Sequence, residues 1–206
     1  SKEAKVLVIG YAHDLAFSFY YDENLATLRE LGVTLIPFSP MYDTHLPTGC
    51  HGLYLGGGYP EVFAKILSSN LTMLRDIHSF GKAGRPIYAE CGGYMYLTTA
   101  ITTIEGKEYP MVDLFKAKAI MTDRLQHFGH VVSTITGLAE SDIVYRGHEF
   151  HHSVVETQSD APKFLISVQR RDQNWPCGLY VNRTLGTYVH AHFYSNLELL
   201  DVLIKF

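Results

Sequence analysis

Four short apolar runs divide the first half of the chain at regular intervals. Lys5-Val6-Leu7-Val8-Ile9-Gly10 is continuously apolar up to a glycine stop, which predicts a central strand buried on both faces. Tyr11 to Phe17 reads as a loop. Phe19 to Gly32 reads as a helix, with Tyr20, Leu25, Leu28 and Leu31 near helical spacing and Gly32 ending it. Val33 to Phe38 is a second strand, broken by Ser39-Pro40. Strand, helix and strand within about forty residues is the size of a βαβ unit. Leu53-Tyr54-Leu55 is a third strand and runs into Gly56-Gly57-Gly58-Tyr59-Pro60-Glu61. Helices are predicted from Pro60 to Leu67 and from Leu71 to Ala83, and Pro86 to Ala89 is the fourth strand. Strands alternating with helices predict a mostly parallel, doubly wound sheet, which binds ligands outside the carboxyl ends of its strands. Gly56–Gly58 and Cys91 both fall at such ends.

The second half is less regular. Ala117–Met121, Val131–Ile135, Phe164–Val168 and Leu185–Val189 read as strands that either extend the sheet or form an antiparallel annex, and Asn196 to Lys205 reads as a closing helix. A chain of 206 residues suits one large domain or two small ones. Its net charge of −4 gives no basic footprint for nucleic acid or an anionic membrane. Three cysteines argue against a disulfide framework and fit a reducing compartment, so a cytoplasmic location is expected. No apolar run approaches the roughly 20 residues of a membrane span. Ser1-Lys2-Glu3-Ala4 shows no signal peptide, and an opening Ser without Met points to a fragment of a longer chain.

The chemistry concentrates around Pro86-Ile87-Tyr88-Ala89-Glu90-Cys91-Gly92-Gly93-Tyr94-Met95-Tyr96-Leu97. A strand, a sharp turn with small neighbours and a helix start would present Cys91 as a nucleophile, with helix N–H groups favouring its thiolate. The alternative is a buried structural cysteine. A nucleophilic cysteine needs a base. His190 sits just past a strand end, on the elbow's rim if that strand is parallel. His192 shares its face in an extended chain and could orient it by a hydrogen bond. Zinc is a competing reading of the clustered histidines, but Cys-x-x-Cys spacing is absent and His151-His152 point opposite ways on a strand, so no metal is expected. Gly56-Gly57-Gly58 lacks the Lys-Ser/Thr of a phosphate loop. Its N–H groups, paired with that of Gly92, would make an oxyanion hole, where one donor is worth roughly 3 kcal/mol. The bland alternative is a tight turn.

Five ordered motifs carry a family resemblance: Asp14-Leu15-Ala16-Phe17-Ser18-Phe19-Tyr20-Tyr21 with Glu23-Asn24-Leu25; Leu53 to Glu61; Ala89-Glu90-Cys91-Gly92-Gly93; Arg146-Gly147-His148-Glu149-Phe150-His151; and Tyr188-Val189-His190-Ala191-His192-Phe193. Together they resemble the glutaminase domain of the cobyrinic acid a,c-diamide synthase family, a class I, triad-type glutamine amidotransferase. The resemblance implies an α/β, flavodoxin-like class I amidotransferase fold. Its central, mostly parallel sheet is flanked by helices, with some antiparallel strands in the second half. One glutamine amidotransferase domain would span residues 1–206, with the family's N-terminal ATP-dependent synthetase domain absent.

The resemblance also implies that Cys91 attacks glutamine, that His190 protonates departing ammonia, and that Gly57 or Gly58 holds the oxyanion with Gly92. Arg124 is a candidate for meeting the substrate carboxylate, the alternative being a plain surface arginine. Ammonia would pass to a synthetase domain or subunit that amidates a tetrapyrrole carboxylate. ATP and Mg are expected only there, and no cofactor in this domain. Typical triad enzymes carry His-x-Glu where this chain has His192, and Gln near the nucleophile where it has Met95. Glu61 and Glu90 would either contact ligand or charge a helix start. His148 and His151 have no assigned role, and the tetrapyrrole remains open among cobyrinate, hydrogenobyrinate and a nickel-sirohydrochlorin. The competing readings are another cysteine hydrolase on the same fold and a non-catalytic interaction domain.

Overall fold

The computed structural model describes residues 6–158 and 164–204. Lys5 and Lys205, expected in the first strand and the last helix, lie outside the described residues. A six-stranded sheet organises the molecule, in the spatial order Leu179–Val181, Thr184–Thr187, Ile87–Glu90, Gly52–Leu55, Leu7–Ala12, Val33–Phe38. All neighbours run parallel except the edge strand Leu179–Val181, which pairs antiparallel with Thr184–Thr187. The inner strands Gly52–Leu55, Ile87–Glu90 and Thr184–Thr187 are buried at every position, as unbroken apolar runs demand.

The second half does both things the strand pattern allowed. Leu179–Val181 and Thr184–Thr187 extend the first sheet, while the rest builds mostly antiparallel structure, with Thr98–Thr102 and Phe115–Met121 paired in parallel. A five-stranded sheet runs Gln173–Cys177, Ile166–Arg170, His127–Ile135, Ile143–His151, His190–Ala191, and a four-stranded sheet runs Ser153–Thr157, Phe115–Met121, Thr98–Thr102, Glu108–Pro110. Ile143–His151, read from the sequence only as a motif, is a nine-residue strand whose burial alternates.

Two boundaries differ from the periodicity. The first helix is Asp22–Glu30, and Phe17–Phe19 is instead a short strand paired with Gly57–Gly58. Asp14 turns the chain into it. One carboxylate oxygen accepts from the N–H groups of Ala16 (2.8 Å) and Phe17 (3.2 Å), and the other takes Ser39 Oγ and Met41 N. The second helix begins at Ala64 rather than Pro60, because Tyr59 to Phe63 is spent on turn hydrogen bonds.

Candidate active site

The elbow is built at the end of Ile87–Glu90. Cys91 has φ +49° and ψ −104°, a left-handed, strained backbone for a residue with a side chain, and Gly92–Tyr96 follows as a single helical turn. The strain is held from both sides. Cys91 N–H donates to Thr187 O at 2.7 Å, and Gly93 N–H donates to Gly56 O at 2.9 Å. Gly92 admits no side chain, since a Cβ would lie 2.9 Å from Pro60 Cδ and 3.0 Å from Gly58 N. The glycine triplet is therefore packed against the elbow.

His190 reaches the same place through the neighbouring strand. Thr184–Thr187 runs parallel to Ile87–Glu90, and His190 follows three residues later. A cavity of about 270 Å³ is lined by Cys91, His190, Gly58, His148 and Phe150, with Ser18, Phe19 and Tyr59 completing it. The His190 ring meets the edge of Phe19 at 4.7 Å and lies against Gly57, where a Cβ would stand 2.5 Å from its Cε1. Only glycine at 57 leaves the imidazole room.

Two buried polar residues tie the parts together. Glu90, 2% exposed, accepts from Ala191 N at 2.6 Å, Tyr88 Oη at 2.8 Å and Tyr54 Oη at 2.9 Å. It thus links the residue before the nucleophile to the residue after the imidazole. Asn24 donates to Ala191 O at 2.7 Å and accepts from Phe193 N at 3.0 Å. Burial raises the Glu90 carboxyl to about 7, and its three donors work against that rise. A glutamate closing the apolar run Ile87-Tyr88-Ala89 was the visible signal for this clamp; its partners were not visible.

The proton sits on sulfur. Burial pushes the Cys91 thiol up to about 12, the Glu61, Glu90 and Glu149 carboxyls add to this, and the Gly92 N–H opposes it. The thiolate expected at a helix start is not favoured here, because one helical turn supplies little dipole against burial among carboxylates. The thiol points at Phe150 O, 3.8 Å away. Burial, with His148, His151 and His192 nearby, pushes His190 down to about 3. It is a neutral imidazole able to accept a proton, and its Nδ1 has no hydrogen-bond partner.

The other expected residues sit elsewhere. His192 lies against the Tyr21 ring at 4.4 Å and lines a separate cavity with Arg146, Arg170 and Tyr194. It makes no hydrogen bond to His190 Nδ1, so the expected orienting contact does not form. The backbone of His192 is still extended, its N–H bonded to Arg146 O at 2.9 Å, and it is the packing of its ring on Tyr21 that takes it away from His190. Arg124 is exposed on the turn before His127–Ile135, where its carbonyl accepts from Thr122 Oγ1 and Gln126 Nε2. It does not line the Cys91 cavity, which counts against a role for it at the substrate carboxylate. Glu61 is half-buried, raised by desolvation, and near enough to Cys91 to affect it.

A family profile described as the CobB/CobQ-like glutamine amidotransferase domain matches residues 8–197. The chain belongs to that family. Cobyrinate a,c-diamide synthases from Caldanaerobacter subterraneus subsp. tengcongensis and Streptococcus sanguinis are 46% and 44% identical over 200 and 203 residues. These alignments cover 96% and 94% of this chain but 44% of each relative, so the chain spans less than half the length of the curated relatives it matches. Among solved structures, a glutamine amidotransferase superposes with a TM-score of 0.68 at 16% identity, covering 95% of this chain and 96% of that one. One from Thermotoga maritima gives 0.61 at 12% identity, covering 97% and 81%. This CobB/CobQ-like glutamine amidotransferase domain therefore has the class I amidotransferase fold its motifs implied. Among the described residues no helix is long and apolar enough to cross a membrane.

Proposed function

We propose that this domain hydrolyses glutamine at Cys91 and His190 and supplies the ammonia to an ATP-dependent synthetase domain or subunit. The observation carrying the reading is that the strained cysteine and the neutral, room-restricted imidazole line one cavity. As glutamine enters, His190 takes the Cys91 proton and the sulfur forms a bond to the side-chain amide carbon. The resulting oxyanion lies between the N–H groups of Gly92 and Gly57 or Gly58. The carbon–nitrogen bond breaks, His190 returns the proton to nitrogen, and ammonia leaves. Water then cleaves the thioester to glutamate and restores the thiol. Glu90 and Asn24 act by positioning, since they touch backbone rather than reacting atoms.

The names of the relatives favour cobyrinate as the acceptor, amidated with ATP and Mg in the synthetase half. No cofactor is needed for the hydrolysis itself. No partner role for nucleic acid or membrane is proposed. The reading is tested by glutamate release from glutamine, with and without the synthetase half. Cys91→Ser should lower turnover by about a thousandfold or more, as loss of a covalent nucleophile does. Equal turnover in that variant would refute the assignment.

A further inference from the structure

The strand Ile143–His151 has two faces with different contents. His148 and Phe150 line the Cys91 cavity, while Glu149 and His151 line another of about 160 Å³ on the other side, with Gln126, Trp175, Cys177 and Tyr188. In that second chamber Trp175 Nε1 donates to Glu149 Oε2 at 3.1 Å. Glu149 Oε1 has no partner, although the residue is 0% exposed. His151 Nε2 stands 3.9 Å from that oxygen, also buried and unpartnered.

The tautomer of His151 is set from its far side. Nδ1 lies 2.8 Å from Ser153 O, which can only accept, so Nδ1 carries the hydrogen and Nε2 offers a lone pair. The ring is stacked on Tyr188 at 3.6 Å with planes 3° apart, which holds it in that orientation. Two acceptors without partners therefore stand 3.9 Å apart on residues that line the chamber. Buried polar atoms without partners are rare and costly. A small group with at least two N–H or O–H bonds answers both, and a positive charge answers the carboxylate. Among the described residues no three metal-ligating side chains converge here, which favours a hydrogen-bonding cation over a coordinated metal.

We propose that this chamber binds ammonium, with Glu149 Oε1 and His151 Nε2 as its two acceptors. Only the source of the ammonium rests on the glutaminase reading above. Ammonia released beside Cys91 is neutral, and on entering it takes the proton of Glu149 to leave an ammonium–carboxylate pair. No further reactant is required. Burial holds the Glu149 carboxyl up at about 7, so a proton is on hand near neutral pH.

The test is titration of the chain with ammonium chloride against sodium chloride at matched ionic strength, read by the 15N shift of His151 Nε2. A saturable response to ammonium alone is expected, weakened about tenfold in Glu149→Gln by loss of a charge-assisted hydrogen bond. Identical responses to the two salts overturn the proposal. The unsubstituted chain decides this even if the variant does not fold. Glutamate release measured on the same samples separates the two readings. Turnover without an ammonium-specific shift sinks the chamber and spares the glutaminase, while the shift without turnover, both with and without the synthetase half, upholds the chamber and sinks the glutaminase.

Discussion

Glu90 and Glu149 are buried to nearly the same degree, 2% and 0% exposed, and burial raises both carboxyls to about 7. Their surroundings differ. Glu90 has both oxygens bonded, by the Ala191 N–H and the Tyr88 hydroxyl from the elements that hold the imidazole and the nucleophile, and by the Tyr54 hydroxyl from Gly52–Leu55. Glu149 bonds Trp175 through one oxygen and leaves the other without a partner, on a residue that lines a cavity. Equal burial and an equal shift thus mark two different uses. A carboxylate with both oxygens bonded acts as a structural clamp, and one with an oxygen left without any partner is arranged for a ligand.

The largest effect should separate these two residues by stability. Glu90→Leu strands three buried donors at roughly 1–3 kcal/mol each, so urea unfolding should show a loss of about 3 kcal/mol or more. Glu149→Gln keeps an acceptor for Trp175 and should cost about 1 kcal/mol or less. Equal losses would erase the contrast. Next, Gly57→Ala inserts a methyl group 2.5 Å from His190 Cε1. Displacing the base should lower glutaminase kcat about a hundredfold. Circular dichroism should show the fold retained, placing that loss in the geometry of the base rather than in the Glu90 clamp.

A smaller effect lies in pH. Between the ordinary carboxyl value of 4.5 and about 7, the folded chain keeps a proton on Glu149 that the unfolded chain has released. That contribution to stability is complete below about 4.5 and is lost as pH rises to about 7. Glu149→Gln lacks the titration, so unfolding curves across this window should show the variant gaining on the parent, then running level. The same experiment on Glu90→Gln should give the same sign on top of a lower starting stability. The smallest effect is expected from His192→Ala. This ring packs on Tyr21 in a third cavity, and its loss should change kcat by less than about threefold. A large drop there would restore it as an orienting partner for His190.

The first half was readable because each of its strands is a continuous apolar run with a glycine or proline stop, and such runs have one stable home, the middle of a parallel sheet. The elbow at Cys91 and the approach of His190 followed from strand ends and glycines. Phe17–Phe19 was hidden because its partner is a two-residue strand at Gly57–Gly58, forty residues away in sequence and without side chains to show a pattern. His192 continues the extended run from His190, but alternation does not say where a ring packs, and this one lies on Tyr21. Arg124 was named from the family resemblance alone, and its turn leaves it exposed.

Periodicity and punctuation alone determined that this chain is an α/β protein with a cysteine at a strand-to-helix elbow, and the ordered motifs determined its family. Only the tertiary structure decided that Glu90 and Asn24 bind the cysteine strand to the histidine strand, and that Glu149 and His151 share a chamber behind them. The apolar pattern is a property of neighbouring residues and survives in a linear string. The partners of a buried polar atom come from distant strands, and their identity exists only once the sheets have closed around it.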